Sequence, residues 1–301
     1  MPLLSIVIPN LDSPWIARTL LGIRSQWNLQ PPHEVIVVGS DRPGLVPRDG
    51  SVRWIETESR VNPAAARNLG VAEARSENIL FIDADCRPFP GWAERLAGIL
   101  DRSPIAGGAV TFPRNPDETS VWALADNIAS FHELLADRPA EENTRGAIGS
   151  LNLAVRRDAW DSIGGFDEAL TTSEDFDWIL RARAAGFATA FVPDAIVEHA
   201  AVRADRAALE AHATWYGSNF HLFRARHPEA FGTGPTWRSP KLLAATAPLK
   251  AWTGALAIFA KHPELRGSMR ALPGVAAFRR AWYRSVIAGW PKLSAPKGRN
   301  V

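Results

Sequence analysis

Residues 62–85 read NPAAARNLGVAEARSENILFIDAD, a helical segment followed directly by a strand. Asn62–Pro63 is a typical helix start, because asparagine caps the first turn and proline fits its first position. The run at 78–82 does not alternate with polar residues, which is typical of a strand covered on both faces of a parallel sheet. This strand stops at Asp83. The stretch therefore predicts an α/β fold with an acidic residue at the end of a buried strand.

Three further strands are predicted upstream by the same reasoning. Leu4–Ile8 and Val35–Val38 are buried apolar runs, and Val52–Glu56 is a weaker one. Strands and helices that alternate in this way form a mostly parallel central sheet flanked by helices. Ligands bind such sheets beyond the carboxyl ends of the strands, where Asp41 and Asp83 lie.

The pattern becomes less regular after residue 105. We expect two short strands at Phe187–Phe191 and Ala195–Glu198, and one long helix at Arg203–Arg226. A basic, tryptophan-rich segment follows. The predicted organisation is one α/β domain over residues 1–227 and a C-terminal helical extension over residues 228–301.

Two aspartates follow the fourth strand in the motif Asp83–Ala84–Asp85. Residues two apart in an extended segment project to the same side, so the two carboxylates come close together. Close carboxylates repel unless a cation lies between them, and Mg²⁺ or Mn²⁺ prefers oxygen ligands of this kind. The alternative is that these acids only cap the next helix.

A second acidic cluster, Glu174, Asp175 and Asp177, precedes an apolar helical run. The helix dipole stabilises acids at a helix start, which is one explanation for the cluster. Three acids within four residues, after the flexible Gly164–Gly165 turn, exceed what a cap requires. One of them could take a proton from an attacking hydroxyl group.

Two basic side chains complete the candidate set. His199 closes a predicted strand, where an imidazole is either structural or a further ligand for Mn²⁺. Arg67 lies in the helix opened by Asn62–Pro63, where an arginine is either solvated or able to bind a diphosphate through its bidentate geometry. These residues alone leave both alternatives open.

Taken in order, these segments resemble the inverting family 2 glycosyltransferases of GT-A fold. The resemblance covers about residues 4–227 and rests on five motifs in sequence: SIVIPN, NPAAARNLGVAEARSENILFIDAD, GSLNLAVRRDAWDSIGGFDE, SEDFDWILRARAAGF and VPDAIVEH. Each motif alone has low specificity, but five in the same order are a strong indication. The resemblance implies transfer of a sugar from a nucleotide-diphosphate donor to a hydroxyl group of a glycan or a lipid-linked glycan.

The resemblance also implies a metal site and a catalytic base. Asp85 would bind a divalent ion, Mn²⁺ or Mg²⁺, that bridges the donor diphosphate. Asp83 would contact the metal or the donor sugar and ribose, and His199 would complete the metal shell. Asp175 would be the general base, with Glu174 as its neighbour or alternate.

Donor contacts follow from the same resemblance. Pro9 and Asn10, at the end of the opening strand, would lie beside the nucleotide sugar, as would Arg67. Ser150 and Asn152 would lie where the donor and acceptor pockets meet.

The chain departs from the family pattern after the second strand. The family usually has paired acids there, one of which contacts the base or ribose, whereas this chain has Gly39–Ser40. Asp41 would substitute for them through a shift of the loop. The segment after the first strand is also altered, and Asp12 within it would add a nucleotide contact.

Composition restricts the cellular setting. The chain has 301 residues and one cysteine, Cys86, which excludes an intramolecular disulfide and makes a reducing compartment the expectation. The apolar run at the N-terminus is too short for a signal peptide and lacks a basic segment. We expect a cytoplasmic protein, or one bound peripherally to the cytosolic face of a membrane, with no nucleic-acid partner.

The charge is distributed unevenly along the chain. Residues 241–301 contain eleven lysines and arginines and one acid, Glu264, a net charge of +10 within a chain whose total is +2. Aromatic residues accompany these charges: Trp252, Trp282, Tyr283 and Trp290.

This combination predicts an anionic membrane surface as a partner of residues 241–301. The alternative is a helical subdomain whose lysines are solvated. Pro248 and Lys250 interrupt the apolar residues around them and argue against a helix that spans the bilayer.

Two other functions remain open on the sequence. A non-catalytic sugar- or membrane-binding protein on a decayed GT-A fold would explain the altered Gly39–Ser40, although the acids and the histidine named above are intact. A nucleotidyltransferase would need a glycine-rich basic loop after the first strand, and residues 9–20, PNLDSPWIARTL, contain none.

Overall fold

The computed structural model describes residues 4–26, 33–230 and 235–290. Within them, helices flank a central sheet of eight strands. The strands are β1 Leu4–Leu11, β2 His33–Ser40, β3 Arg53–Glu56, β4 Asn78–Ile82, β5 Cys86–Pro88, β6 Ile105–Thr111, β7 Asn152–Arg156 and β8 Thr189–His199. The α-helices are α1 Ile16–Arg24, α2 Pro63–Glu73, α3 Trp92–Ile99, α4 Val121–Phe131, α5 Arg157–Ile163, α6 Glu174–Ala184, α7 Arg206–Ser218, α8 Phe220–Arg226, α9 Pro240–Lys261 and α10 Leu272–Ala288. Short 3₁₀ helices lie at His132–Leu134, Pro228–Ala230, Pro235–Trp237 and Pro263–Ala271.

The sheet has the strand order β3-β2-β1-β4-β7-β6-β8-β5. The first four strands are parallel. Strand β7 runs antiparallel to both β4 and β6, while β8 runs parallel to β6 and antiparallel to the edge strand β5. The predicted α/β class is confirmed, with a parallel half and a mixed half in one sheet. In the parallel half, the carboxyl ends of β1, β2 and β4 meet at one edge.

Apolar layers cover both faces of the parallel half. Along β4, Leu80 and Ile82 belong to one layer, and Ile79 and Phe81 belong to the other. All four side chains are buried. This explains why the strand lacks polar alternation. It also fixes Asp83, the next residue, at the edge of the sheet.

Helix α2 is held against the sheet by its first turn and by a glycine. The Asn62 side chain accepts a hydrogen bond from the Ala65 amide at 2.8 Å, and Pro63 occupies the first turn. A Cβ atom at Gly70 would lie 2.3 Å from Cγ1 of Val7, so only glycine permits this close approach. The packing brings Arg67 of α2 to the edge where the parallel strands end.

Two predicted elements differ from the structure. The strands expected at Phe187–Phe191 and Ala195–Glu198 form one strand, β8, whose register against β6 shifts between Gly108 and Ala109. The helix expected at Arg203–Arg226 is instead two helices, α7 and α8. Periodicity alone could not locate either the continuity of β8 or the break after α7.

The helical extension shares the core of the α/β domain. Val275 and Phe278 of α10 belong to the same apolar cluster as Leu124 and Ile128 of α4. Helix α10 also packs against α7 and α9. The extension is therefore part of one continuous packing arrangement over the described residues.

Helix α9 is a single helix of 22 residues. It runs through Pro248 and Lys250 without interruption, so neither residue breaks the helix. By length and composition alone it meets the criteria for a membrane span, although a third of its apolar window is buried against the protein. Residues 291–301, the end of the basic segment, lie outside the described residues.

Candidate active site

Two cavities meet at the edge where the parallel strands end. The strand-end cavity is lined by Pro9, Asn10, Gly39 and neighbouring residues of α2. The helix-side cavity lies towards α6 and α7 and is lined by Glu174 and His199, among others. Both cavities share one wall, formed by Pro63, Arg67, Asp83, Asp85 and Arg203. The predicted acids therefore stand between two adjoining spaces.

Arg67 links the two acidic motifs. It is buried, and its guanidinium donates to Oδ1 of Asp83 at 2.5 Å and to Oε1 of Glu174 at 2.8 Å. Burial opposes a charged guanidinium, but the carboxylates of Asp83 and Glu174 raise the pKa of Arg67 and keep it protonated. The alternative of a solvated surface arginine is thereby excluded.

Asp85 stands beside His199 because β5 and β8 pair at this end. In that pairing Cys86 lies opposite His199, and Nε2 of His199 is 3.4 Å from Oδ2 of Asp85. Against the effect of burial, His199 and then Arg203 lower the pKa of Asp85 to about 2. Burial likewise opposes the protonated form of His199, but Asp85 raises the pKa of this imidazole. The pair therefore carries an ionised carboxylate at neutral pH.

The two aspartates of the motif differ in their electrostatics. Burial raises the pKa of Asp83, and the neighbouring Asp85 raises it further, while Arg67 acts in the opposite direction. The pKa of Asp85 is lowered. Two close carboxylates with opposite shifts are the arrangement expected where like charges share a small space.

The acids at the start of α6 have three different environments. Glu174 is buried against Arg67, and burial, reinforced by Asp175, raises its pKa to about 7. Asp175 is half-buried in the helix-side cavity, where its Oδ2 accepts from the amide of Ser150 at 2.9 Å and from its hydroxyl at 3.3 Å. Asp177 is buried away from the cavities and pairs with Arg181. Glu174 and Asp175 both line the helix-side cavity, and Asp175 is the more exposed of the two.

Pro9 and Asn10 line the strand-end cavity. The Asn10 amide donates to the Ser40 carbonyl at 2.8 Å and ties the ends of β1 and β2 together. Gly39 has φ +133°, and a Cβ there would lie 2.0 Å from the Asn10 carbonyl oxygen. An acid therefore cannot occupy position 39 in this backbone. The backbone at position 39 therefore requires the glycine found there.

Asp41 does not substitute for the missing acids. Its carboxylate accepts from the amides of Leu45 and Val46, both at 2.9 Å, and its side chain is only 1% exposed. It closes its own loop and lines none of the described cavities of the cleft. The Asp12 carboxylate accepts hydrogen bonds from the amide and Nε of Arg42. It lies outside the two cavities and lines a separate depression together with Ser40.

The structure also corrects the prediction for Asn152. This residue is buried in β7, and its amide donates to the carbonyls of Ala109 and Ala195 at 2.8 Å each. Its oxygen accepts from the Trp92 indole at 2.7 Å. These three hydrogen bonds hold β6, β7, β8 and α3 together. Ser150, two residues earlier, does reach the helix-side cavity.

Sequence reasoning missed a second polar network behind the shared wall. Arg203 lines both cavities, and its guanidinium donates to Oδ2 of Asp126 at 3.2 Å. The other oxygen of Asp126 lies 2.7 Å from Nδ1 of His212. A signal was present in Asp126, an acid within the otherwise apolar helix VWALADNIASF. Trp215 and Tyr216 of α7 complete this side of the helix-side cavity.

Asp85 of the shared wall and the adjacent His199 together form a donor set that fits a divalent ion. Among the described residues, no group of three or more His, Cys, Asp or Glu side chains forms a metal shell by itself. Asp85 nevertheless supplies an ionised carboxylate, and Nδ1 of His199 is buried without a hydrogen-bond partner in the described ranges. Mg²⁺ and similar ions usually take one or two protein carboxylates, with phosphate oxygens and water completing the shell.

Known proteins resemble this chain in sequence and in fold. The family model described as Glycosyl transferase family 2 matches residues 5–163, more than half of the chain. Glycosyltransferase AglE of Haloferax volcanii is 27% identical over 212 residues, which cover 67% of this chain and 68% of the relative. Pre-mycofactocin glycosyltransferase of Mycobacterium tuberculosis is 30% identical over 175 residues, which cover 56% of this chain and 36% of the relative.

A solved structure shares the fold. The crystal structure of GalNAc-T7 with UDP, GalNAc and Mn²⁺ superposes with a TM-score of 0.52 at 16% identity. The superposition covers 81% of this chain and 54% of that chain. The predicted GT-A fold is thereby confirmed.

Proposed function

The chain belongs to glycosyl transferase family 2 and is an enzyme that transfers sugars, and we propose that it does so with inversion, using a divalent metal and Asp175 as general base. The observation that carries the proposal is the meeting of two acidic motifs in one cleft. Asp83–Ala84–Asp85 and Glu174–Asp175 come from distant parts of the chain and border the same helix-side cavity. A nucleotide-sugar donor would occupy the strand-end cavity, and the acceptor would occupy the helix-side cavity.

Asp175 would take the proton of the acceptor hydroxyl. It lies in the helix-side cavity, and Ser150 holds its Oδ2 by two hydrogen bonds. A fixed carboxylate facing the acceptor space meets the geometric requirement for a general base. Glu174 is turned towards Arg67 and is unsuited to that task.

The residues of the shared wall would hold the donor diphosphate. Asp85, His199 and Asp83 would hold Mn²⁺ or Mg²⁺, which as a Lewis acid offsets charge on the leaving diphosphate. Arg203 is a second positive group facing both cavities. Its pairing with Asp126 fixes the direction of the guanidinium towards that wall.

The acceptor would be a glycan or a lipid-linked glycan, reached on the cytosolic side of a membrane. Trp215 and Tyr216 give the helix-side cavity aromatic surface. Aromatic rings present a large amphipathic surface to a sugar or to a prenyl chain. The cytoplasmic setting rests on the composition of the chain.

A donor screen tests the proposal. Calorimetry with a panel of nucleotide sugars, each with Mn²⁺ or Mg²⁺, should identify one donor that binds and is slowly hydrolysed. NMR of the sugar product should show an anomeric configuration opposite to that of the donor. A retained configuration would overturn the inverting mechanism. A folded protein that neither binds nor hydrolyses any donor would favour the non-catalytic alternative on a decayed fold.

A further inference from the structure

Helix α9 presents an apolar face to solvent. Its buried face packs into the protein through residues spaced four apart, such as Leu243, Ala247 and Ala251. On the opposite face Leu249 is 69% exposed, Leu256 50% and Trp252 43%. A surface helix normally carries polar residues on the face that points away from the core. Helix α9 does not.

The apolar face is continuous along the helix. Helical spacing places the following residues on the side away from the core: Leu242, Ala245, Leu249, Trp252, Thr253, Leu256 and Ala260. None of them is charged, and four are large apolar residues that are at least 40% exposed. We call this set the outward face of α9. A contiguous exposed apolar surface of this kind marks a binding surface.

Lysines flank the outward face. Lys241 and Lys261 are exposed at the two ends of α9, and Lys250 is half-buried at its side. None of the three makes an ion pair with another described residue. All five lysines of the chain lie between residues 241 and 297. Unpaired lysines beside exposed leucine and tryptophan suit an anionic bilayer surface, because the ring and the aliphatic stems reach the headgroup region.

The packing of α9 determines how it could meet a bilayer. Leu243, Ala247 and Ala251 are buried in a cluster that includes Tyr283 and Val286 of α10. A helix that crossed the membrane would lose this packing. A helix that lies in the plane of the interface keeps it and buries only the outward face.

The end of α9 lies next to the helix-side cavity. His262 follows its last residue, and the ring of His262 is 6.0 Å from the ring of His132, which lines that cavity. The Asp137 carboxylate lies 3.3 Å from Nδ1 of His262 and fixes this junction. A bilayer against α9 would therefore lie near the side of the cleft assigned to the acceptor.

We propose that the outward face of α9 docks in the plane of an anionic membrane surface and brings the helix-side cavity to lipid-linked acceptors. The position of the acceptor rests on the proposed function, whereas the docking itself rests on the exposed face and its lysines alone. Vesicle binding without any substrate therefore tests the docking independently of sugar transfer.

The test is co-sedimentation of the full chain with vesicles. Vesicles of phosphatidylcholine with phosphatidylglycerol should bind the wild-type protein, and binding should weaken with salt. The double variant Leu249→Gln/Leu256→Gln should bind at least about tenfold more weakly than the wild type. The reason is that two apolar side chains no longer transfer from water to the bilayer. Leu21→Gln is the matched control, because Leu21 on α1 is also 69% exposed, and it should bind as the wild type does.

A second variant tests the charges. Lys241→Gln/Lys250→Gln/Lys261→Gln should lower binding to anionic vesicles by roughly tenfold to a hundredfold at low salt. Binding to pure phosphatidylcholine vesicles, which should be weaker than binding to anionic vesicles, should be nearly the same for this variant and the wild type. Circular dichroism should show that all variants keep the wild-type helix content.

Two results would overturn the proposal. Unchanged vesicle binding by Leu249→Gln/Leu256→Gln would mean that another surface makes the contact. A wild-type dimer in sedimentation velocity that the same double variant converts to monomer, without vesicle binding by either, would identify a second copy of the chain as the occupant.

Discussion

The two acidic motifs of the cleft are built on the same plan. In each, one acid pairs with Arg67 and the other does not. Asp83 and Glu174 are the bridged acids, and their pKa values are both raised, with burial as the leading cause. Asp85 and Asp175 are the unbridged acids, one beside His199 and the other beside Ser150. Arg67 thus ties the two motifs together through the bridged acids, and in the proposed function the unbridged Asp85 binds the metal while the unbridged Asp175 acts as the base.

Removal of the metal should have the largest effect. If Asp85 holds a divalent ion, excess chelator should reduce transfer to background, and added Mn²⁺ or Mg²⁺ should restore it. Asp85→Asn should raise the Mn²⁺ concentration needed for half-maximal rate by at least about tenfold, since even an outer-shell partner is worth that much. Asp158→Asn, an exposed acid on α5, is the control and should keep the wild-type requirement. Full activity in excess chelator would exclude a metal at this wall.

Loss of the unbridged acid of α6 comes next. Asp175→Asn should lower kcat by roughly 10²–10⁴-fold, because a general base contributes about that factor. The donor affinity measured by calorimetry should remain, since the donor contacts lie at the shared wall. If Asp175→Asn turns over normally and Glu174→Gln does not, the base is the bridged acid instead, and the division drawn above fails.

Loss of the bridge itself should reduce stability more than any change to an unbridged acid. Arg67→Met leaves Asp83 and Glu174 without their partner, and breaking a buried ion pair typically costs about 3–5 kcal/mol. Arg67 is only 3% exposed, so water cannot replace it. Urea unfolding followed by circular dichroism measures the change. Arg75→Met, at an exposed arginine at the end of α2, should shift the free energy of unfolding by less than about 0.5 kcal/mol.

The sequence allowed both acidic motifs and the helix that carries Arg67 to be predicted, but not the bridge that Arg67 forms between the motifs. Asp83 and Asp85 follow a strand whose apolar run is unmistakable, and Asn62–Pro63 marks the helix that carries Arg67. These are local signals. Arg67 pairs with Glu174 and not with Asp175 because of where the fold places α2 and the start of α6, which no local pattern encodes.

The remaining errors have a common cause. Asp41 and Asn152 have the residue types expected of ligand contacts, but their side chains bond within the protein, Asp41 to amides of its own loop and Asn152 to residues of β6, β8 and α3. Conversely, Arg203 joins Asp126 across 77 positions and was not identified. A polar residue in a promising segment predicts function only if the fold leaves its atoms free, and that depends on residues distant in the sequence.

The smallest expected effect is a change with pH in the free energy of unfolding, caused by the titration of Glu174, the bridged acid of α6. The pKa of Glu174 in the folded protein is about 7, above the ordinary value of 4.5. A raised pKa means that the folded state holds the proton more tightly than the unfolded chain. The associated stability is therefore complete below about pH 4.5 and is lost as the pH rises through about 7, by at most about 3 kcal/mol.

Glu174→Gln keeps an oxygen for Arg67 but cannot ionise, so its free energy of unfolding should fall less between pH 5 and pH 8 than that of the wild type. Urea unfolding of both proteins across this range measures the difference, and Glu168→Gln, at an exposed acid near the same helix, should follow the wild-type curve. Parallel curves for wild type and Glu174→Gln would mean that Arg67 keeps Glu174 ionised throughout, and the two members of the α6 pair would then differ in position alone.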